Sequence, residues 1–455
     1  MPTQTWQFYA WGLQLTWLFF VFAFGACIGS LVNVLVYRLP RGIGVVTPPS
    51  ACPKCNTRLT FRENLPIIGW LLLKGRCRYC RAKISPEYPI VETAVAVLFA
   101  AFYVLWFILP GEFPRGGAVF LGVDWSRLRP EWALNPLPVS VPLFVMTLLL
   151  LGSLVAMTIV DAKTFTIPLV LTWFPAIVGL LLHVGTSVYV ENWMVGGRLH
   201  RVAPAFNWAL PTPVEVIPGP RPWVGGWGGL CATVGAMVGL GIGMVLLWTG
   251  LVRRSFLDYA EWEKRALEQS GTSEGQTATT APVEADLPRP ADVWIQYPHA
   301  RREMVKELAF LAPCVGLGLF GWYAAKWWGP TTPAPLWVTV LAGVLLGYLV
   351  GGGVVWGVRV LGSLGFGKEA MGLGDVHLMA GVGACLGWID ATLAFFLAAF
   401  VGLVITAVQV VAGAGARRTM PYGPSLAIAT VLVLLTKPAI EAGLSRVFGY
   451  PVNIP

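Results

Sequence analysis

Four cysteines stand in two short pairs, Cys52-Pro-Lys-Cys55 and Cys77-Arg-Tyr-Cys80, with 21 residues between them. This is the spacing of a four-thiolate zinc ribbon, in which two knuckles from separate stretches of chain converge on one tetrahedral ion. A loop this small cannot bury a core of its own, so a metal staple supplies what packing cannot. With all four positions filled by thiolate, the zinc would be structural. The competing reading is a pair of disulfides, and it depends on the compartment, because cytosolic thiols stay reduced. The remaining cysteines, Cys27, Cys231, Cys314 and Cys385, lie in apolar runs and read as small packing residues.

Two aspartates form a second constellation. Asp161 ends one apolar run and Asp375 precedes another, in Met371-Gly-Leu-Gly-Asp-Val-His377. Either alone reads as a helix end at the lipid headgroups. As a pair they could do chemistry. Two carboxylates held together at low dielectric share one proton, so the pair supplies both base and acid to a water attacking a peptide carbonyl, and titrates as a unit. Gly372 and Gly374 would let the chain bend tightly before the next helix. His377 would add positive charge near Asp375 when protonated, or else sit as a neutral packed histidine.

The elements that position these groups are apolar. Of 455 residues, 56% are hydrophobic and only 12% charged, about half the charge of an ordinary globule. Long apolar runs recur at 12–36, 89–109, 141–160, 167–187, 229–252, 307–327, 335–358, 376–389, 391–413 and 424–437. Most approach the ~20 residues that cross a bilayer, which predicts an all-α polytopic bundle of eight to ten spans. The two runs flanking Asp390 are the exceptions, the first being short enough for a re-entrant segment or a tilted helix. The N-terminal run is too long, and lacks the basic flank, for a cleavable signal, so it is read as the first span.

A net charge of +9 could suggest nucleic acid, but the basic residues concentrate in particular short loops. Loop 37–87 holds ten Lys or Arg against Glu63 and Glu87, which makes it cytoplasmic and its thiols reduced. Counting ten crossings from there places Arg253, Arg254, Lys368, Arg417 and Arg418 on the same side. The chain then divides into a first span (1–36), a cytoplasmic four-cysteine zinc-binding domain (37–87), helices carrying Asp161 (88–252), a cytoplasmic linker (253–306) and helices carrying the Gly-x-Gly-Asp motif (307–455). Outward loops 110–140 and 188–228 are rich in Trp, Pro and Gly, as at a membrane interface. The linker opens with a charged helical pattern, Arg253 to Gln269, and closes with ARREMVKEL; its middle lacks the apolar side chains to offset ordering entropy.

Taken together, these residues resemble the type IV prepilin peptidases, bacterial inner-membrane aspartic proteases of the Gly-x-Gly-Asp class. FGACIGSLVNVLVYRLP (Phe24 to Pro40) is similar to the opening signature, and CPKC, NLPIIGWLLLKGRCRYC and ISPEYPIVE (Ile84 to Glu92) to the cysteine domain. Asp161-Ala-Lys-Thr-Phe-Thr-Ile-Pro168 resembles the first catalytic segment, MGLGDVHLMAGVGACLGW (Met371 to Trp388) the second, and Pro421-Tyr-Gly-Pro424 the C-terminal signature. The resemblance implies that Asp161 and Asp375 are catalytic and that Cys52, Cys55, Cys77 and Cys80 hold zinc. It implies that the protein cleaves leaders from type IV prepilins and type II secretion pseudopilins at the cytoplasmic side of the inner membrane. It further implies N-methylation of the new N-terminus from S-adenosylmethionine, linked to the cysteine domain. The implied partners are those substrates and the bilayer, without nucleic acid; the oligomeric state and the methyl-donor residues are left open.

Three positions depart from the family pattern. Glu87 stands where Arg is usual before Tyr-Pro, His377 where Lys is usual, and Leu169 where an acid or amide commonly follows Pro168. Gly29, Ser30 and Asn33 within the first span suit either tight packing or methyl transfer. Two rival functions remain: a peptidase without methyl transfer, and a transporter or assembly scaffold whose aspartates relay ions and whose zinc ribbon docks a partner.

Overall fold

In the computed structural model nearly every apolar run is a helix. The structure describes residues 2–109, 119–120, 123–124, 129–195, 226–256, 258–259, 261–262, 265, 297, 299–330, 332, 334–367, 369–412 and 421–449. Most of loop 188–228, the middle of the 253–306 linker, Lys368, Arg417 and Arg418 lie outside them, as does most of 110–128.

The long helices are α1 (Pro2–Arg38), α3 (Glu87–Tyr103), α4 (Leu137–Thr164), α5 (Leu169–Val195), α6 (Gly226–Trp248), α7 (Ala300–Trp328), α8 (Leu336–Phe366), α10 (Trp388–Val411) and α11 (Gly423–Phe448). Two are short, α2 (Ile68–Leu72) in the cysteine loop and α9 (Leu373–Leu386). A π-helical turn, Val104–Ile108, extends α3, and a two-residue antiparallel ladder pairs β1 (Val119–Phe120) with β2 (Val123–Asp124). Eight described helices are long and apolar enough to cross a membrane, or nine if Gly423–Lys437 and Ala439–Val447, bent by 66°, count as one span. Pro438 at that bend cannot donate to the helical ladder. The predicted eight to ten spans hold. The run before Asp390 is the short α9, broken from α10 at Gly387, whose φ of 93° is closed to most other residues.

Small residues set the closest approaches. A Cβ on Gly347 of α8 would lie 2.0 Å from the Gly383 oxygen of α9, and one on Gly383 would lie 2.0 Å from the Gly347 oxygen. Backbones that touch in this way pack through dispersion where lipid offers no hydrophobic drive. Around that contact α4, α5, α8, α9, α10 and α11 contribute a buried core that includes Leu150, Leu154, Met157, Val355, Leu378, Met379 and Leu426.

Both ends of the linker pack against the helices. The ARREMVKEL stretch is already the first turns of α7, and Glu303 and Glu307 within it are buried, 2% and 5% exposed. Phe256 and Tyr297 bury against Met304 and Val360, so the flanks of the linker are packed structure. The reason is that each acid has a partner. Glu303 accepts the Phe256 N–H at 2.9 Å and Lys306 Nζ at 2.6 Å, and Glu307 accepts Ser255 Oγ and Trp356 Nε1.

Candidate active site and metal centre

Asp161 lies in the last turn of α4, which Phe165 ends in a left-handed conformation (φ 52°) by donating its N–H to the Asp161 carbonyl oxygen. An acid at a helix C-terminus opposes the macrodipole, so this position is not one that helix stability selects. Its carboxylate is held from another element: Gly423 N–H, at the start of α11, donates to Asp161 Oδ2 at 3.0 Å. A Cβ on Gly423 would stand 2.6 Å from that oxygen, so the contact requires glycine. Asp161 is 6% exposed.

Asp375 sits in the first turn of α9, where the helix N-terminus favours a negative charge. Gly372 caps the helix with ordinary extended dihedrals (φ −73°, ψ 149°), which leaves its N–H on the side of the Asp375 carboxylate, where it favours the charged form. The chain bends at Met371 just before the helix, but neither Gly372 nor Gly374 has a positive φ, so the bend does not use glycine's conformational freedom. Gly374 is small for a different reason: a Cβ there would stand 3.1 Å from Ile167 Cβ, so the two aspartate segments touch at this point. The Asp161 and Asp375 carboxylates lie within Coulombic reach of each other, and Tyr422 is within reach of Asp375. His377 makes no hydrogen bond or ion pair with Asp375 among the described residues, as expected two positions along a helix, where side chains diverge.

Behind Asp375 is a group that sequence reading passed over. Arg359, 1% exposed near the end of α8, donates through Nη1 to the Met371 carbonyl and to Glu369 Oε1 (2.6 Å), and through Nε to Glu307 Oε1 (3.3 Å). It thus clamps the loop that leads into Gly372-Leu-Gly-Asp375 and ties it to α7. A lone Arg inside the run 335–358 and its extension was the available signal, because charge in a membrane segment calls for a partner. Asp390 is not part of this site. It pairs with Lys437 at 2.9 Å, just past the opposite end of α9.

The four cysteines predicted as ligands converge, their sulfurs all within 4.8 Å of one another and Cys52 Sγ to Cys80 Sγ at 3.8 Å. Tetrahedral zinc–thiolate bonds of about 2.3 Å would set sulfurs about 3.8 Å apart, so the donor set fits such an ion. No cysteine is in a disulfide. The knuckles share one design. In each, the first cysteine N–H bonds the oxygen five residues on (Cys52 to Thr57, Cys77 to Ala82), and the residue after the second cysteine, Asn56 or Arg81, takes a positive φ. Hydrogen bonds from Thr57 pull the Cys55 thiol down to about 6. Although the Ala82 N–H pulls it down, Cys80 is pushed up to about 11 by burial and the neighbouring Cys77, Cys55 and Cys52 sulfurs. A cluster that resists further negative charge is suited to a cation.

Both centres lie at one end of the bundle. Glu87, the departure at the start of α3, forms an ion pair with Lys163, two residues beyond Asp161. Of the first-span positions, Gly29 serves packing, since a Cβ would stand 2.6 Å from Glu92 Cα, while Ser30 and Asn33 line a cavity beside the cysteine loop.

Residues 23–106 match the bacterial peptidase A24 N-terminal domain, and residues 306–407 match the type IV leader peptidase family. A prepilin leader peptidase/N-methyltransferase of Aeromonas hydrophila is 31% identical over 267 residues, covering 52% of this chain and 80% of that protein. The chain belongs to the prepilin leader peptidase/N-methyltransferase family. Relatives of the same name in Myxococcus xanthus (strain DK1622) and Klebsiella pneumoniae are 44% and 40% identical over 82 and 114 residues, 18% and 24% of this chain. Those matches span 24% and 49% of the two prepilin peptidases' own lengths, less than two thirds of either. No solved structure matches the chain.

Proposed function

We propose that this multi-pass membrane protein is an aspartic endopeptidase that removes the leader from type IV prepilins or pseudopilins and then methylates the exposed N-terminal amine. Asp161 and Asp375 are the catalytic pair. One carboxylate takes a proton from a water as it attacks the scissile carbonyl, and the other protonates the departing nitrogen. The Gly423 N–H fixes the Asp161 oxygen, and the first turn of α9 favours negative charge at Asp375. A substrate whose apolar helix lies in lipid presents its cleavage site at the membrane surface, so the peptidase is embedded beside it. The basic loop between α1 and α3 sets the active end on the cytoplasmic side of the bacterial inner membrane. Cys52, Cys55, Cys77 and Cys80 would hold zinc, which when bound cross-links the two knuckles. S-adenosylmethionine would supply the methyl group.

The observation that carries this reading is the convergence of two acids, distant in sequence, within electrostatic reach at one end of a lipid-facing bundle. Purified protein with Asp161→Asn or Asp375→Asn, incubated with a prepilin, should lose cleavage by about 10³-fold or more. Processing at the wild-type rate would instead favour the ion-relay or scaffold function.

A further inference from the structure

Loop 367–371 carries the chain from the end of α8 to the Gly372 cap of α9, and so decides where Asp375 enters its helix. Each of its described residues is held by a neighbour. Arg359 binds the Glu369 carboxylate and the Met371 carbonyl, and Ser363 Oγ accepts the Ala370 N–H at 3.1 Å. Those holders belong to α8 itself. Gly367 is different: at a φ of 65° it turns the chain off the helix, and its carbonyl oxygen accepts the Tyr297 N–H at 2.7 Å, from the far flank of the linker. A segment that had only to join α6 to α7 would need no bond to this loop.

The Tyr297 side chain explains how a linker residue keeps that place. Tyr297 is 3% exposed, and three rings surround it: Trp262 at 5.1 Å and Tyr259 at 5.5 Å meet it edge-on, and Phe256 lies tilted at 5.8 Å between centroids. Such pairs add directional attraction to the area they bury. The Tyr297 hydroxyl donates to Asp258 Oδ1 at 2.8 Å. All four partners stand on the other flank, so the two ends of the linker close on one another. The Phe256 ring also faces the Arg359 guanidinium, whose Cζ is 5.7 Å from the ring centroid. The aromatic cluster therefore touches loop 367–371 directly at Gly367 and, through Arg359, at Glu369 and Met371.

We propose that the linker flanks form a clasp on loop 367–371, with Tyr297 as a positioning residue that fixes Asp375 against Asp161 through the Gly367 carbonyl. This rests on the catalytic pair proposed above. The bond to Gly367 is made by backbone, so the role of the Tyr297 ring is to hold that backbone in place. A displacement of about 1 Å at a reacting group can cost about 10²-fold in rate. A loosened clasp therefore slows the chemical step and leaves the apolar helix of the substrate bound as before. The chain between α6 and α7 thereby has a task at the active site.

Steady-state cleavage of a prepilin by the full-length protein in nanodiscs tests this with Tyr297→Ala. The kcat should fall about tenfold with KM within about twofold of wild type, the signature of an interaction that acts on the chemical step. The two pH values that bound the activity should draw together by about 0.5 unit, because carboxylates set farther apart couple less. A smaller active fraction would instead lower the rate equally at every pH. Hydrogen exchange at the Ala370 amide should quicken about tenfold, a reading that needs no substrate. Tyr297→Phe, which keeps both the ring and the N–H, should restore all of these to near wild type. Should Tyr297→Ala not fold, Tyr259→Ala, which removes one ring from around Tyr297, takes its place with the same directions of change. A folded variant with wild-type kcat, a fall in rate with an unmoved pH profile, a rise in KM alone, or unchanged exchange at Ala370 overturns the proposal. Failure of the peptidase reading shows separately, as prepilin cleavage surviving Asp161→Asn.

Discussion

The helices that carry the aspartates and the α6–α7 hairpin are both built on glycine contacts, but they use them differently. Across the apolar windows of α4, which carries Asp161, and of α8, which packs on the helix of Asp375, 72% and 50% of residues are buried, against 17% and 11% in α6 and α7. In the hairpin, a Cβ on Gly239 would fall 2.2 Å from the Pro313 oxygen, and one on Gly321 would fall 2.1 Å from the Cys231 oxygen. These contacts join two helices and leave their outer faces to lipid. In the core, comparable contacts at Gly347, Gly383 and Gly423 fix where carboxylates stand. Close approach is thus a general means of packing in a membrane, and its functional meaning depends on what lies at the ends of the packed helices.

The hairpin meets the core through Glu307 and Arg359, and that link is where the contrast can be broken most sharply. Replacing Arg359 by Met leaves Glu307 buried without its cation and frees the Met371 carbonyl. The expected loss is about 3–5 kcal/mol of stability, as for other broken buried pairs, read as a lower melting temperature with weakened cleavage. Unchanged melting would mean that the hairpin end braces nothing. A smaller effect is expected at Gly423→Ala. The added methyl costs about 1–3 kcal/mol of overpacking, concentrated on the Asp161 oxygen, so cleavage should fall about tenfold while melting moves little. A stability loss without a rate loss would show that α11 positions nothing at the site. Smallest is Gly241→Ala in α6, where the new Cβ meets nothing within 4 Å. Stability and cleavage should both stay within about 0.5 kcal/mol of wild type; a large drop would show that the outer face of the hairpin is covered.

Much of this was legible in residue order. The apolar runs give the helices because length and hydropathy alone decide what can cross lipid, and the two CxxC pairs give their cluster because knuckle spacing is local. The aspartates stood out through their places at run ends. Their common partner was not legible, because Gly423 matters only through an N–H and a missing side chain. Nothing in residue order marked Glu303 and Glu307 as buried, because the partners that bury them, Phe256 for the first and Ser255 and Arg359 for the second, are distant in sequence. The reason for Gly374 was hidden in the same way: it answers to Ile167 across the fold and not to its own dihedrals.

The short α9 has a consequence for the bundle around it. At about 1.5 Å per residue, its 14 residues reach about 21 Å, short of a hydrocarbon layer of about 30 Å. Because every residue from Leu378 to Leu386 is buried, neighbouring helices and not acyl chains surround it, and the bundle itself fills the missing depth. Just past its far end Asp390, 3% exposed, pairs with Lys437. A helix too short to span thus puts Asp375 at one end of its run and a paired Asp390 just past the other.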